Sequence, residues 1–202
     1  MFRNSPSSRP QTPCDDPSDT AAFRRRQATF DFFQTIDVEM AKVLVRARKL
    51  ADLSAPVLIH GEPGTGKSLF AQAVHNASPR SRQPFRVIGP GDVSGGGFRD
   101  RLFTSEDEPG LLAICQGGSL VLDEIQEWPE DIQVLFEQIL DHREFSSPVD
   151  QTPQYVNVRL IPTASGADNL ASRCPEGMAP SLFRRLRGTE IQLPPLAARS
   201  AD

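Results

Sequence analysis

Between residues 38 and 53, "VEMAKVLVRARKLADL", apolar side chains return at Met40, Val43, Leu44, Ala47 and Leu50. Spacings of three and four place them on one stripe of a helix. The pattern then changes. "APVLIHG" (55–61) is a short apolar run ending in glycine, which predicts a buried strand. "KSLFAQAVHNA" (67–77) reads as a helix and "PFRVIG" (84–89) as a second strand, while "GPGDVSGGG" (89–97) reads as a loop. "SLVLDE" (119–124) is a third strand, ending in two acids. "PEDIQVLFEQILDHREF" (129–145) is a helix, opened by Pro129 and early acids that suit a helix N-terminus. "YVNVRLIPTAS" (155–165) is a fourth strand, "APSLFRRLR" (179–187) a short helix, and "TEIQLPPL" (189–196) a last strand. Strands alternating with helices predict an α/β fold, a parallel sheet sandwiched by helices.

Residues 1–22 are rich in Ser, Pro, Thr and Asp and carry no hydrophobic period, so they read as a disordered tail before a domain over 23–202. The isolated triplet Arg24–Arg26 reads as a solvated basic turn. A net charge of -4 over 202 residues gives no electrostatic case for a nucleic-acid surface, so no direct DNA binding is expected. Cys14, Cys115 and Cys174 form no C-x-x-C pair, which leaves neither a zinc site nor a disulfide framework. His60, His75 and His142 are equally scattered. The start lacks the apolar core of a signal peptide, and no apolar run approaches membrane-spanning length. A cytoplasmic protein with no membrane partner is expected.

The chemistry starts at "GEPGTGKS": Gly61, Glu62, Pro63, Gly64, Thr65, Gly66, Lys67 and Ser68 fit G-x-x-x-x-G-K-[ST]. Glycines let the backbone wrap a phosphate, so that its N–H groups and the next helix's N-terminus face the anion. Lys67 would neutralise the β- and γ-phosphates of ATP, and Ser68 would ligate Mg²⁺. A glycine-rich turn can match by chance. Here an apolar strand precedes the motif, a helix follows it, and an apolar strand delivers Asp123 and Glu124 further on. Asp123 would hold Mg²⁺ through water, and Glu124 would orient or deprotonate the attacking water.

Taken together, "VLIHGEPGTGKSLFAQAVHNASPRS", "PF", "GGSLVLDEIQEWPEDIQVLFEQIL", "VNVRLI" and "LFRRL…LPPL" resemble the AAA+ ATPase domain of the bacterial enhancer-binding proteins, the sigma-54-dependent transcriptional activators. The resemblance runs from about residue 30 to 202. It implies a P-loop NTPase fold of the AAA+ kind, with ATP and Mg²⁺ as cofactors. It also implies Arg185 as an arginine finger acting in trans, and partners that are copies of this chain or related AAA+ subunits.

Several positions depart from the family. Its long insertion tipped by GAFTGA, which engages sigma-54, gives way after Leu102 and Phe103 to the six residues "TSEDEP". No sigma-54 contact through the usual loop is therefore expected. Gly89 stands where the family has an Asn that senses the γ-phosphate, Ala164 and Ser165 fall at the sensor I position, and Ala179 replaces the first arginine finger. The chain closes "LPPLAARSAD", so the helical lid and the helix-turn-helix domain are expected to be missing. Ser68 runs the other way, restoring the general P-loop form where the family has Glu. An arginine finger is worth roughly 10³–10⁵ in rate in other P-loop enzymes, so turnover is expected to be feeble. The reading is a nucleotide-binding regulatory protein acting through partner subunits. A slow autonomous ATPase, a true activator and a degenerate remnant stay open beside it.

Overall fold

The computed structural model describes residues 28–33, 37–94, 97–103, 109–146, 153–166 and 174–196. The tail expected at 1–22, the Arg24–Arg26 turn, Cys14, residues 104–108 of "TSEDEP" and the closing residues 197–202 lie outside them.

Five strands make one all-parallel sheet: β1 (Leu58–Gly61), β2 (Phe85–Ile88), β3 (Ser119–Leu122), β6 (Arg159–Ser165) and β7 (Glu190–Gln192). Their order across the sheet is β2-β3-β6-β1-β7. Short strands β4 (Glu144–Ser146) and β5 (Pro153–Tyr155) form a separate antiparallel pair. The helices are α1 (Val38–Ala51), α2 (Lys67–Asn76), α3 (Pro90–Val93), α4 (Phe98–Leu102), α5 (Leu111–Ile114), α6 (Glu130–His142) and α7 (Pro180–Leu186).

Side chains alternate across the sheet and feed two cores. Leu58, Leu120, Leu122, Leu160 and Ala164 pack with Ile132, Phe136 and Ile139 of α6 and with Leu182 and Leu186 of α7. Ile59, Val121, Ile161 and Ile191 pack with Met40, Ala47 and Leu50 of α1 and with Phe70 and Val74 of α2. Strands covered on both faces are mostly apolar, which is why β1 and β3 read as apolar runs. The stripe foreseen on α1 is the one that faces the core: Met40, Ala47 and Leu50 are buried, and Val43 and Leu44 half-buried.

Three boundaries differ from the sequence reading. The stretch read as a loop at 89–97 opens with α3. Pro90 sits in the first turn, where its missing N–H costs nothing, and the Asp92 carboxylate accepts the Gly89 N–H at 2.8 Å. The helix read as 129–145 stops at His142, because Arg143 turns left-handed at φ 50° and residues 144–146 join a hairpin. The strand read as 155–165 is two strands, broken at 156–158, where the Asn157 carbonyl takes the Gly117 N–H at 2.8 Å.

The break also sets where β6 begins. Arg159, 1% exposed, opens that strand and points its guanidinium at the C-terminal end of α1. It donates to the carbonyls of Leu50 at 2.6 Å, Ala51 at 3.0 Å and Ala55 at 3.0 Å. Leu50 and Ala51 close α1, where the negative end of the helix dipole favours a cation, and Ala55 lies in the loop beyond. Burial first, and the charge of Arg80 second, lower the Arg159 pKa to about 10, so it stays charged at neutral pH.

Candidate functional site

Strand β1 hands the chain to the turn Gly61–Ser68. Gly61 has no room for a side chain: a Cβ there would meet the Leu193 carbonyl oxygen at 2.9 Å. Pro63 and Gly64 form the exposed part of the turn, with Glu62 half-buried beside them. Its carbonyl at Glu62 is tied back by the Thr65 hydroxyl at 2.8 Å and the Thr65 N–H at 3.3 Å. Gly66 holds φ 88°, a conformation that costs an L-residue its Cβ clearance, and no side chain caps the start of α2. The first-turn N–H groups of that ten-residue helix therefore carry no side-chain acceptor, which is the arrangement an anion needs.

Lys67 begins α2 and is 5% exposed. Its Nζ donates to Ser165 Oγ at 2.7 Å, to the Glu62 carbonyl at 3.2 Å and to the Gly61 carbonyl at 3.3 Å, and pairs with Glu124 Oε1 at 3.0 Å. Ser68, one residue on, faces the other acid: its hydroxyl donates to Asp123 Oδ1 at 2.9 Å. The two acids follow the end of β3. Asp123 is anchored by its N–H on the Ile88 carbonyl at 2.8 Å and by the Trp128 indole N–H on its own carbonyl at 2.9 Å. Glu124 sits in the left-handed region, φ 49°, and its N–H donates to Thr163 Oγ1 at 2.9 Å. Burial works to raise the Glu124 pKa. Hydrogen bonds from Gln126, Ser165 and Lys67, with the Lys67 charge, outweigh it and hold the carboxyl below its ordinary value.

The structure thus brings Lys67 and Ser68, from the start of α2, into one cluster with Asp123 and Glu124, from the end of β3. Ser68 Oγ and Asp123 Oδ1 are a hard oxygen pair of the kind Mg²⁺ takes when phosphates and waters supply its remaining ligands. Arg185 is not part of the cluster. It lies on α7 and pairs with Asp141 of α6 at 2.6 Å. Gly89 follows β2 and takes Asp92, and the Ala179 N–H donates to Gln133 Oε1 at 2.8 Å.

Sequence reasoning missed Thr163, and gave Ser165 a family position without its partner. Thr163 donates to Asp123 Oδ1 at 2.8 Å, and Ser165 donates to Glu124 Oε1 at 2.8 Å. Both lie on β6, between the strands that carry the turn and the acids. A signal existed: two hydroxyls two apart at the C-terminal end of an otherwise apolar strand share one face. Elsewhere, burial raises the Cys115 thiol to about 11, and Cys174 is raised for the same reason. Among the described residues no three His, Cys, Asp or Glu side chains converge on a metal site, and no helix is long and apolar enough to cross a membrane.

Among known proteins, residues 34–192 match the family model described as the sigma-54 interaction domain. The HTH-type transcriptional regulatory protein TyrR of Citrobacter braakii is 34% identical over 178 residues, covering 87% of this chain and 34% of that protein. The transcriptional regulatory protein GlrR of Escherichia coli K12 is 34% identical over 177 residues, covering 81% of this chain and 38% of that one. The chain therefore spans about a third of the length of the curated relatives it matches. The crystal structure of NtrX from Brucella abortus in complex with ATP superposes with a TM-score of 0.72 at 29% identity, over 84% of this chain and 40% of NtrX. The P-loop NTPase domain of a sigma-54 activator from E. coli, 19% identical with a TM-score of 0.54 over 78% of this chain and 95% of that one, shares the fold. With the matched region covering most of its length, the chain belongs to the sigma-54 interaction domain family of AAA+ P-loop NTPases.

Proposed function

We propose that this chain binds ATP with Mg²⁺ at Gly61–Ser68, Asp123 and Glu124, and works as a nucleotide-binding regulatory subunit. One observation carries the reading: a buried Lys67 and an adjacent Ser68, at an uncapped helix N-terminus, lie within hydrogen-bond reach of the two acids. That NtrX was crystallised with ATP and with ADP supports the choice of ligand. Its partners are copies of this chain or related AAA+ subunits, because Arg185 is presented half-exposed on α7, away from its own cluster.

The roles follow from the geometry. N–H groups of the turn and of the first turn of α2 cradle the phosphates, and Lys67 supplies the positive charge they need. Ser68 and Asp123 offer the oxygens for Mg²⁺, which when bound neutralises charge on the phosphate oxygens. Glu124 orients a water for attack and accepts its proton. Hydrogen bonds and the Lys67 charge favour the ionised form of Glu124. A slow ATPase acting alone is the second reading, favoured by that intact acid pair.

Lys67→Ala should weaken Mg-ATP binding by at least about 10- to 100-fold, because a charged hydrogen-bond donor is lost. Calorimetric titration of both proteins, with Tm measured to show that the fold is kept, tests this. Equal affinity in the two would end the assignment.

A further inference from the structure

We propose that Gln126 is a latch on the acid of this site: its side-chain amide holds the Glu124 carboxylate idle, and turnover waits on its release. This role rests on the proposed nucleotide site and goes a step past it, since nothing in the resemblance gives position 126 a task.

Gln126 lies two residues past Glu124, on the short 3-10 turn Ile125–Glu127. Its Nε2 donates to Glu124 Oε2 at 2.8 Å. The orientation of the amide is forced: a carboxylate only accepts, and an amide oxygen turned towards it would be repelled. That leaves Oε1, which is buried with no hydrogen-bond partner among the described residues. A buried acceptor without a donor costs about as much as a hydrogen bond to a charged group returns. Holding and releasing Glu124 are therefore close in free energy, which is what a latch needs. Gln133 shows the other use of the same side chain. It is 1% exposed, its amide donates to the carbonyls of Trp128 and Gly177, each at 2.9 Å, and it accepts the Ala179 N–H at 2.8 Å. A glutamine that only braces uses both ends, and Gln126 uses one.

The backbone beneath the latch is pinned. The Glu127 N–H donates to the Glu124 carbonyl at 2.9 Å, and the Trp128 N–H to that of Ile125 at 3.1 Å. Against the turn stands Gly177 at φ 83°, so close that a Cβ there would lie 2.4 Å from the Gln126 carbonyl oxygen. Release is thus a rotation of one half-buried side chain about a fixed backbone, and it lets Oε1 meet water. In hydrolysis the water oxygen bonds the γ-phosphorus as the bond to the ADP oxygen breaks, and the water's proton passes to Glu124. Lys67 and Ser165 hold Oε1 at 3.0 and 2.8 Å while Gln126 holds Oε2, so neither oxygen is clear of a donor. A donor stabilises the carboxylate as an anion and loses most of its bond once the proton arrives. It therefore favours the state before transfer over the state after.

Removing the amide should therefore speed hydrolysis, the opposite of what losing a brace would do. The test uses the whole chain as wild type, Gln126→Ala and Gln126→Met, the second keeping the bulk of the side chain without its donor. Mg-ATP affinity is measured by calorimetry, phosphate release in single turnover, and Tm alongside. Methionine decides the matter where alanine loosens the fold. Both variants should bind Mg-ATP within about threefold of wild type and release phosphate roughly 3- to 10-fold faster. A slower methionine variant would make Gln126 a support, and one no faster than wild type would make the contact inert; either result overturns the proposal. So would a change in affinity as large as the change in rate, or wild type and variants that all bind Mg-ATP and never hydrolyse it. A wild type that fails to bind Mg-ATP at all defeats the nucleotide reading of the whole cluster, a different and separately visible result.

Discussion

His75 lies near the end of α2 with its ring against Phe85, centroids 4.9 Å apart, and its Nδ1 2.9 Å from the Ser119 hydroxyl. Burial first, then the charges of Arg159 and Arg80, outweigh a backbone hydrogen bond at Gln83 and lower its pKa to about 4. Burial alone lowers His60 to about 4 as well. Above about pH 6.5 both rings are neutral whether the chain is folded or not, and their contribution to stability is complete. As pH falls from there towards 4, the unfolded chain takes up protons that the folded chain refuses, so stability is lost. Each ring accounts for up to about 3 kcal/mol by the bottom of that window. Urea unfolding at steps between pH 7 and 4.5 should show this fall, and His75→Gln should make it shallower. An unchanged slope in the variant would mean that the ring is protonated in the folded protein. None of this could be read from the sequence, where three scattered histidines have no period and no partner.

At the scale of elements, what was legible was what repeats. α1, α2 and α6 carry helical stripes, β1 and β3 are unbroken apolar runs, and each was found close to its expected place. What was hidden depends on contacts between distant segments. The turn at Arg143 and the break at 156–158 are set by a hairpin and by Asn157 bonding across to Gly117, so no local period announces them. Thr163 and Ser165 were obscure for a related reason: their meaning comes from lying between β1 and β3, an order fixed by the sheet as a whole. Arg159 is the sharpest case. Inside "VNVRLI" it looks like an interruption, yet it ties β6 to the end of α1 through three carbonyls. Arg159→Leu should cost on the order of 3 kcal/mol, because buried acceptors lose their donor and an apolar side chain cannot replace it. Equilibrium urea unfolding measures it. A leucine variant as stable as wild type would mean that water reaches those carbonyls once the guanidinium is gone.

For the molecule as a whole, the expectation concerns force. The resemblance implies that ATP hydrolysis reaches sigma-54 through a long loop, and by that alignment "TSEDEP" would fall in its place. Six residues span at most about 20 Å fully extended, and a segment that must return to its start can stand out only about half as far. It would present Asp and Glu where the family presents Phe and Thr. In a purified transcription assay with sigma-54 holoenzyme this chain should form no open complex at any concentration. Mixed with a full-length relative that accepts it as a subunit, it should inhibit. Activation by this chain on its own would refute the reading. The sheet also dictates an order of events. β1 carries the phosphate turn, but both of its flanks arrive late: Ile59 stands beside Thr163 on one side and Ile191 on the other. A ribosome that has released the first 150 residues has already delivered Gly61–Ser68, Asp123 and Glu124, yet the strand beneath the turn has no neighbour on either edge. Long-range pairing of this kind comes together late in folding. The turn is therefore expected to be braced on both sides only once about residue 192 has emerged.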